Sequence, residues 1–364
     1  MNRRGFMNRL ATAGTTNGMQ IVHRLSRRVV LLIVVGLLVA SVAAGIALAR
    51  GAATPIGTGV VVIDTNLAYQ GGAAAGTGMV LTSSGEVLTN HHVISGATTI
   101  KVVVPKTGHS YTARVVGYDR TADVAVLQLQ GASNLKTVST SSAKISVGAT
   151  VTALGNAGGS GSITSATGTV TGLGKSITAS DGAGSPEQLT GLIEMNAGVE
   201  PGDSGGPLVN SQGQVVGMDT AASAQFGFQD TAAATDAYAI PIAKALTIAH
   251  AISSGKASAT VHIGATAFLG IEVAPVDSYG FGRQGASTSG ALIAGVVSGG
   301  PAARAGLAAG DVITAISGHT VSSPTAIPAL VLTKKPGAKV TVAYVDQSST
   351  SHTASVTLGS GPPQ

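Results

Sequence analysis

The chain has 364 residues, a length that predicts two domains with additional segments. Hydrophobic residues make up 44% of it, so the composition excludes a wholly disordered chain. The net charge of +5 reflects six arginines in residues 1–28, so it does not predict a nucleic-acid-binding surface. Because there is no cysteine, thiol catalysis and disulfide bonds are excluded.

An uncharged apolar run follows the basic N-terminal arm. Residues 29–49 are long enough to span a bilayer as a helix. Since the arginines precede this run and only Arg50 follows it, residues 1–28 are predicted to be cytoplasmic and the remainder extracytoplasmic. We therefore predict a single-pass cell-membrane protein. The alternative is a secreted protein after signal cleavage, because residues 47–49 fit a small-residue cleavage site.

Two neighbouring histidines and an aspartate stand out in the first half of the chain. His91 and His92 end a predicted strand, and because they are adjacent, at most one can face a given site. Asp123 opens a strongly apolar strand, where a carboxylate can sit behind an imidazole away from water. A cap at the start of that strand is the structural alternative for Asp123, whereas Asp119 fits a turn.

A serine lies between glycines at residues 202–207, which read Gly-Asp-Ser-Gly-Gly-Pro. A serine hydroxyl becomes a nucleophile when a base removes its proton and backbone N–H groups stabilise the oxyanion. Glycines allow the sharp turn that presents such a serine, although a hairpin loop with an exposed serine is the structural alternative. The order His, Asp, Ser along the chain is the order of chymotrypsin-type enzymes.

Four segments together resemble the HtrA/DegP-type serine proteases, which are trypsin-like enzymes of the chymotrypsin fold. They are Gly-Thr-Gly-Met-Val-Leu at 76–81, Leu-Thr-Asn-His-His-Val-Ile at 88–94, Asp-Val-Ala-Val-Leu at 123–127 and Pro-Gly-Asp-Ser-Gly-Gly-Pro-Leu at 201–208. The resemblance implies His92, Asp123 and Ser204 as the catalytic triad. It also implies an oxyanion hole built from the backbone at Gly202, Asp203 and Ser204.

The resemblance continues into the C-terminal part, where residues 266–358 look like a PDZ domain. There the backbone N–H groups of Leu269, Gly270 and Ile271 are expected to hold the terminal carboxylate of a peptide. A generic β domain packed on the protease is the alternative.

The implied fold is mainly β. A protease domain of two six-stranded barrels occupies residues 55–250, and a linker with a flexible stretch at 253–258 spans 251–265. A PDZ domain occupies 266–358, and a disordered tail spans 359–364. Residues 176–186 and 221–236 are predicted to be loops.

The function predicted from these features is a serine endopeptidase that needs no metal or cofactor. The resemblance implies unfolded or misfolded extracytoplasmic proteins as substrates, C-terminal peptides as PDZ ligands, and a homotrimer. Gly198 lies six positions before Ser204, where a basic specificity would need a carboxylate, so cleavage after small to medium apolar residues is expected.

Two other function classes compete with this prediction. The glycines around Ser204 also match the nucleophile turn of α/β-hydrolases, but that fold requires its aspartate and histidine after the serine. A non-catalytic or resting peptide-binding scaffold or chaperone that uses the PDZ domain is the second alternative.

Overall fold

The computed structural model describes residues 55–180, 186–222, 236–276 and 289–364. The predicted membrane span at 29–49 and the basic arm before it lie outside these ranges. Within them, no helix combines the length and apolar character needed to cross a membrane. The described residues form one compact unit.

Six strands form the first barrel: β1 (Val60–Leu67), β2 (Gly72–Val80), β3 (Glu86–Thr89), β4 (Thr99–Val104), β5 (His109–Asp119) and β6 (Val124–Leu129). They pair in the order β5-β4-β1-β2-β3-β6, and a further β5–β6 pairing closes the sheet. Apolar β-branched residues suit this pleated interior, and the start of β1, from Val60 to Ile63, is wholly buried. One short helix, α1 (His91–Ile94), follows β3 directly.

The second barrel is closed in the order β10-β11-β12-β9-β8-β7. Its strands are β7 (Thr150–Gly155), β8 (Thr164–Ser180), β9 (Pro186–Met195), β10 (Pro207–Val209), β11 (Val215–Ala222) and β12 (Ala237–Pro241). The mainly β fold with two six-stranded barrels is therefore confirmed. The loop predicted for residues 176–186 is wrong in part, because β8 continues through Ser180 and pairs with β9 from Pro186.

The segment between the two domains, predicted as a linker at 251–265, contains the end of a helix and a short strand. Helix α2 (Ile242–Ser253) packs against the barrels, and β13 (Val261–Ile263) then pairs with β5 of the first barrel. The linker thus adds a strand to the protease domain.

The C-terminal domain contains strands β14 (Thr266–Phe268), β15 (Ile271–Ala274), β16 (Ala291–Val296), β17 (Val312–Ile316), β18 (His319–Thr320), β19 (Lys339–Val345), β20 (Ser351–Thr357) and β21 (Gly359–Gly361). It also contains helices α3 (Pro301–Arg304) and α4 (Ala326–Val331). Its core is a separate apolar cluster that includes Ile293, Ile313 and Val342. The disorder predicted after Leu358 is wrong, since β21 pairs with β14.

Candidate active site

His92 and Asp123 meet at the edge of the first barrel. The His92 ring Nδ1 lies 2.9 Å from Asp123 Oδ2, and the His92 backbone N–H donates to Asp123 Oδ1 at 3.0 Å. Asp123 adopts a positive φ of 54°, a conformation that aspartate tolerates better than most residues. The Asn90 side chain supports this turn by donating to the Asp123 carbonyl at 2.9 Å.

The Asp123 carboxylate is kept ionised although it is buried. Burial by itself would raise its pKa, but the His92 ring, the Thr220 hydroxyl and the His92 N–H together hold the pKa below its usual value. An ionised carboxylate only accepts hydrogen bonds, so Nδ1 of His92 carries the proton. The other ring nitrogen, Nε2, is then the basic atom of this imidazole.

Ser204 is connected to this pair through Thr220. The Ser204 hydroxyl lies 3.5 Å from the Thr220 carbonyl, at the long limit of a hydrogen bond. The Thr220 side chain in turn donates to Asp123 Oδ2. One residue of β11 therefore contacts both the serine loop and the carboxylate. Thr220 was not predicted from the sequence, because a threonine at the end of an apolar strand carries no distinguishing pattern.

The backbone before Ser204 leaves two N–H groups available. Gly158 N–H donates to the Pro201 carbonyl at 2.7 Å, and in a planar trans peptide the Gly202 N–H then points to the opposite side. Among the described residues, neither the Gly202 nor the Ser204 N–H donates to a backbone carbonyl. Gly202 has φ of 97°, and a Cβ there would overlap the Asn156 carbonyl. Only glycine fits this turn.

Two further carboxyl groups are buried beside the serine loop. Asp203 accepts from the Glu200 N–H at 2.9 Å through Oδ2, while its Oδ1 has no partner among the described residues. Asp219 is fully buried, and neither of its carboxyl oxygens has a hydrogen-bond partner within the described ranges. Burial raises the pKa of Asp219 well above its usual value, and Asp203 adds to this. Burial also raises the pKa of Asp203.

The His91 side chain packs on an aromatic ring. Its ring centroid lies 4.8 Å from that of Tyr118, and the residue is only 3% exposed. Burial lowers the pKa of His91 to about 4, so its imidazole is neutral at physiological pH. The two adjacent histidines thus point in different directions, and the contact with Asp123 belongs to His92.

The loop at residues 269–271 lies beside a groove of the C-terminal domain. The carbonyls of Leu269 and Gly270 accept hydrogen bonds from Ala302 and Val297, each at 3.0 Å. The N–H groups of Gly270 and Ile271 therefore point to the opposite side of their peptide planes. A cavity of about 100 Å³ adjoins them, lined in addition by apolar residues of α4.

No group of three or more histidine, cysteine or acidic side chains in the described ranges is arranged to hold a metal ion.

Comparison with known proteins gives the same two domains. Residues 76–218 match the trypsin-like peptidase domain, and residues 267–358 match the PDZ domain. Serine protease PepD of Mycobacterium tuberculosis is 35% identical over 315 residues, covering 82% of this chain and 63% of PepD. Putative serine protease HhoB of Synechocystis sp. is 34% identical over 281 residues, covering 74% of this chain and 62% of HhoB. The solved structure of HtrA-type protease AlgW with tripeptide is 28% identical, has a TM-score of 0.48, and matches over 86% of this chain and 97% of that one.

The two family matches define a trypsin-like peptidase domain followed by a PDZ domain. The chain belongs to the HtrA/DegP-type serine proteases, as the sequence motifs predict. It spans less than two thirds of the length of the two relatives named above.

Proposed function

We propose that the chain is a serine endopeptidase that uses Ser204, His92 and Asp123. The observation that carries this proposal is the Asp123 carboxylate, which holds Nδ1 of His92 at 2.9 Å and is connected to Ser204 through Thr220. A buried, ionised carboxylate behind an imidazole fixes its tautomer and stabilises its protonated form. That arrangement favours proton transfer from a serine hydroxyl.

In the proposed reaction, Nε2 of His92 removes the hydroxyl proton as Ser204 Oγ attacks the substrate carbonyl carbon. The N–H groups of Gly202 and Ser204 stabilise the oxyanion of the tetrahedral intermediate. His92 then gives its proton to the leaving amine, and the acyl-enzyme forms. Water, deprotonated by the same imidazole, attacks the ester and releases the acid.

The proposed substrates are unfolded or misfolded proteins, cleaved after small to medium apolar residues. Gly198 supports this specificity, because it places no carboxylate where a basic side chain would need one, and the space next to it is open. The PDZ groove, with the N–H groups of Gly270 and Ile271 beside it, suits the C-terminal carboxylate of a peptide.

The proposed location is outside the cytoplasm, with residues 29–49 as a membrane anchor. The charge asymmetry around that run supports the orientation. Several relatives support the compartment, since they are named probable periplasmic serine endoproteases. N-terminal sequencing of the mature protein tests the anchor, because a terminus at Gly51 would replace it with a cleaved signal. The implied homotrimer is tested by sedimentation equilibrium of the detergent-solubilised chain.

The activity is tested by covalent labelling with a fluorophosphonate, followed by peptide cleavage assays. Wild type should be labelled at Ser204 and should cleave an unfolded protein, whereas Ser204→Ala should do neither. Labelling of the wild type no faster than of the heat-denatured chain would favour the non-catalytic scaffold.

A further inference from the structure

Residues 362–364, which we call the strap, lie between the PDZ domain and the first barrel. Pro362 and Pro363 are buried and Gln364 is partly buried. Their starting point is fixed by β21, which pairs with β14 through Gly361 and Thr266. A run of two prolines loses little conformational entropy on docking, because its backbone is already restricted.

The strap is bonded to the elements that surround the proposed catalytic histidine. The Pro363 carbonyl accepts from the Gly96 N–H at 2.8 Å, two residues after the end of α1. The Gln364 N–H lies 3.4 Å from the hydroxyl of Tyr118, whose ring packs on His91. One contact therefore lies just after α1, the helix that carries His92, and the other is with the tyrosine that packs on this helix.

Gln364 also lines the PDZ groove. The groove cavity of about 100 Å³ is bounded by residues 269–271, by Ile327 and Val331 of α4, and by Gln364 itself. Ordinary ligand pockets enclose roughly 300–1,000 Å³. A peptide end that enters this smaller space meets Gln364 as part of the wall.

We propose that the strap, through Gln364, closes part of the PDZ groove, and that a C-terminal peptide displaces it on binding. This inference rests on the proposed peptide binding by the groove. Because only the displaced state is fully open, the strap lowers the apparent affinity for peptides by the fraction of molecules in which it is docked. Displacement breaks the contacts with Gly96 and Tyr118, so the peptide-bound chain differs from the free chain beside α1.

The absence of cysteine allows a direct measurement of strap displacement. Gln364→Cys introduces a single thiol in the strap, and Ser360→Cys places a matched thiol at an exposed position of β21. The probe is a heptapeptide that ends in valine with a free carboxylate, added to the full chain. An aryl disulfide should then modify the Gln364→Cys thiol about fivefold faster or more, because the thiol is more exposed to solvent when the strap is displaced than when it is docked. The Ser360→Cys rate should stay unchanged. Slower or unchanged modification of Gln364→Cys at saturating peptide would overturn the proposal.

Deletion of residues 362–364 provides a second measurement, independent of any thiol. The shortened chain should bind the same heptapeptide at least about threefold more tightly than wild type, since the competing occupant is gone. Equal affinities would overturn the strap while leaving peptide binding by the groove intact. Binding by neither chain would instead overturn the proposed PDZ function, and the inference with it.

Discussion

The Thr77 hydroxyl donates a 2.7 Å hydrogen bond to the Gly202 carbonyl and joins residues 125 positions apart. The same hydroxyl accepts from the Asn156 N–H at 2.9 Å, and the Thr77 N–H donates to the Ser204 carbonyl at 2.9 Å. Thr77 lies in β2 of the first barrel, whereas Gly202 and Ser204 lie in a loop of the second. One buried threonine thus fixes the nucleophile loop relative to the barrel that carries His92.

Thr77→Val should therefore reduce catalysis without touching the triad. The substitution leaves the buried Gly202 carbonyl and Asn156 N–H without their partner, at a cost of about 1–3 kcal/mol for each unsatisfied group. Loss of a single oxyanion-hole donor lowers kcat by about 10²–10³-fold. This is the largest loss expected if Thr77→Val displaces the Gly202 N–H from the oxyanion site. We expect kcat to fall at least about tenfold with KM little changed. Thr77→Ser, which keeps the hydroxyl, should retain most of the rate. Equal loss in both variants would show that the hydroxyl has no such role.

His91 and His92 form a matched pair that tests the assignment of the base. His92→Ala should lower kcat by about 10⁴-fold or more, as Ser204→Ala should, because members of a triad act as a unit. His91→Ala should retain most of the activity. Since His91 is buried against Tyr118, its loss should lower the free energy of unfolding by about 1–3 kcal/mol. Kinetics and thermal unfolding of the three variants measure both effects. An inactive His91→Ala beside an active His92→Ala would contradict the assignment.

The residues of the candidate site were predictable where chemistry restricts the choice of residue. A serine between glycines and an aspartate that opens an apolar strand each carry a local pattern. The supporting contacts have no such pattern. Thr220 reaches Asp123 across 97 positions, and only the folded barrels bring them together. The positive φ of Asp123 likewise depends on the Asn90 side chain, which the local sequence does not reveal.

The fold was predictable where a run of apolar residues marks an element, as in β6 after Asp123. The fold was not predictable where pairing with a distant strand overrides the secondary-structure propensity of the local sequence. β21 consists of Gly-Ser-Gly, a composition that favours a loop, yet its pairing with β14 makes it a strand. The end of β8 is small and polar, but β9 supplies its hydrogen-bond partners as far as Ser180. Such non-local pairing has no signature in a single segment.

The carboxylate loop of the PDZ domain gives a prediction about peptide ends. A peptide with a free C-terminal carboxylate should bind the full chain more tightly than its amidated twin. Hydrogen bonds to a charged group contribute about 1.5–3 kcal/mol each, so loss of one bond should weaken binding roughly 10- to 100-fold. Isothermal titration of both peptides measures the difference. Gly270→Val, which puts a β-branched residue at φ of 79°, should abolish the preference. Equal affinity of the two peptides for wild type would exclude carboxylate capture.

Asp219 gives a prediction about pH and stability. Its carboxyl is fully buried, has no hydrogen-bond partner among the described residues, and has a pKa raised well above the usual value by burial and by Asp203. In the unfolded chain an aspartate titrates near pH 4. Above that pH the folded protein holds a proton that the unfolded chain has lost. The free energy of unfolding should therefore fall by about 1.4 kcal/mol per pH unit from this group, until the pKa of the folded state is reached.

Asp219→Asn removes this titration while keeping the shape of the side chain. We expect the variant to gain stability relative to wild type as the pH rises from 4 to 8, with no gain well below pH 4, where Asp219 is protonated in both states. Asp346→Asn is the matched control, because the Thr350 N–H, the Ser348 hydroxyl and the His352 ring hold the pKa of Asp346 below its usual value. That lowered pKa stabilises the fold above pH 4, and the stabilisation disappears as the pH falls. Asp346→Asn should therefore become less stable than wild type as the pH rises toward neutral. Chemical unfolding of the three proteins across the pH range measures both trends. Parallel curves for wild type and Asp219→Asn would show that the Asp219 carboxyl titrates alike in the folded and unfolded chains.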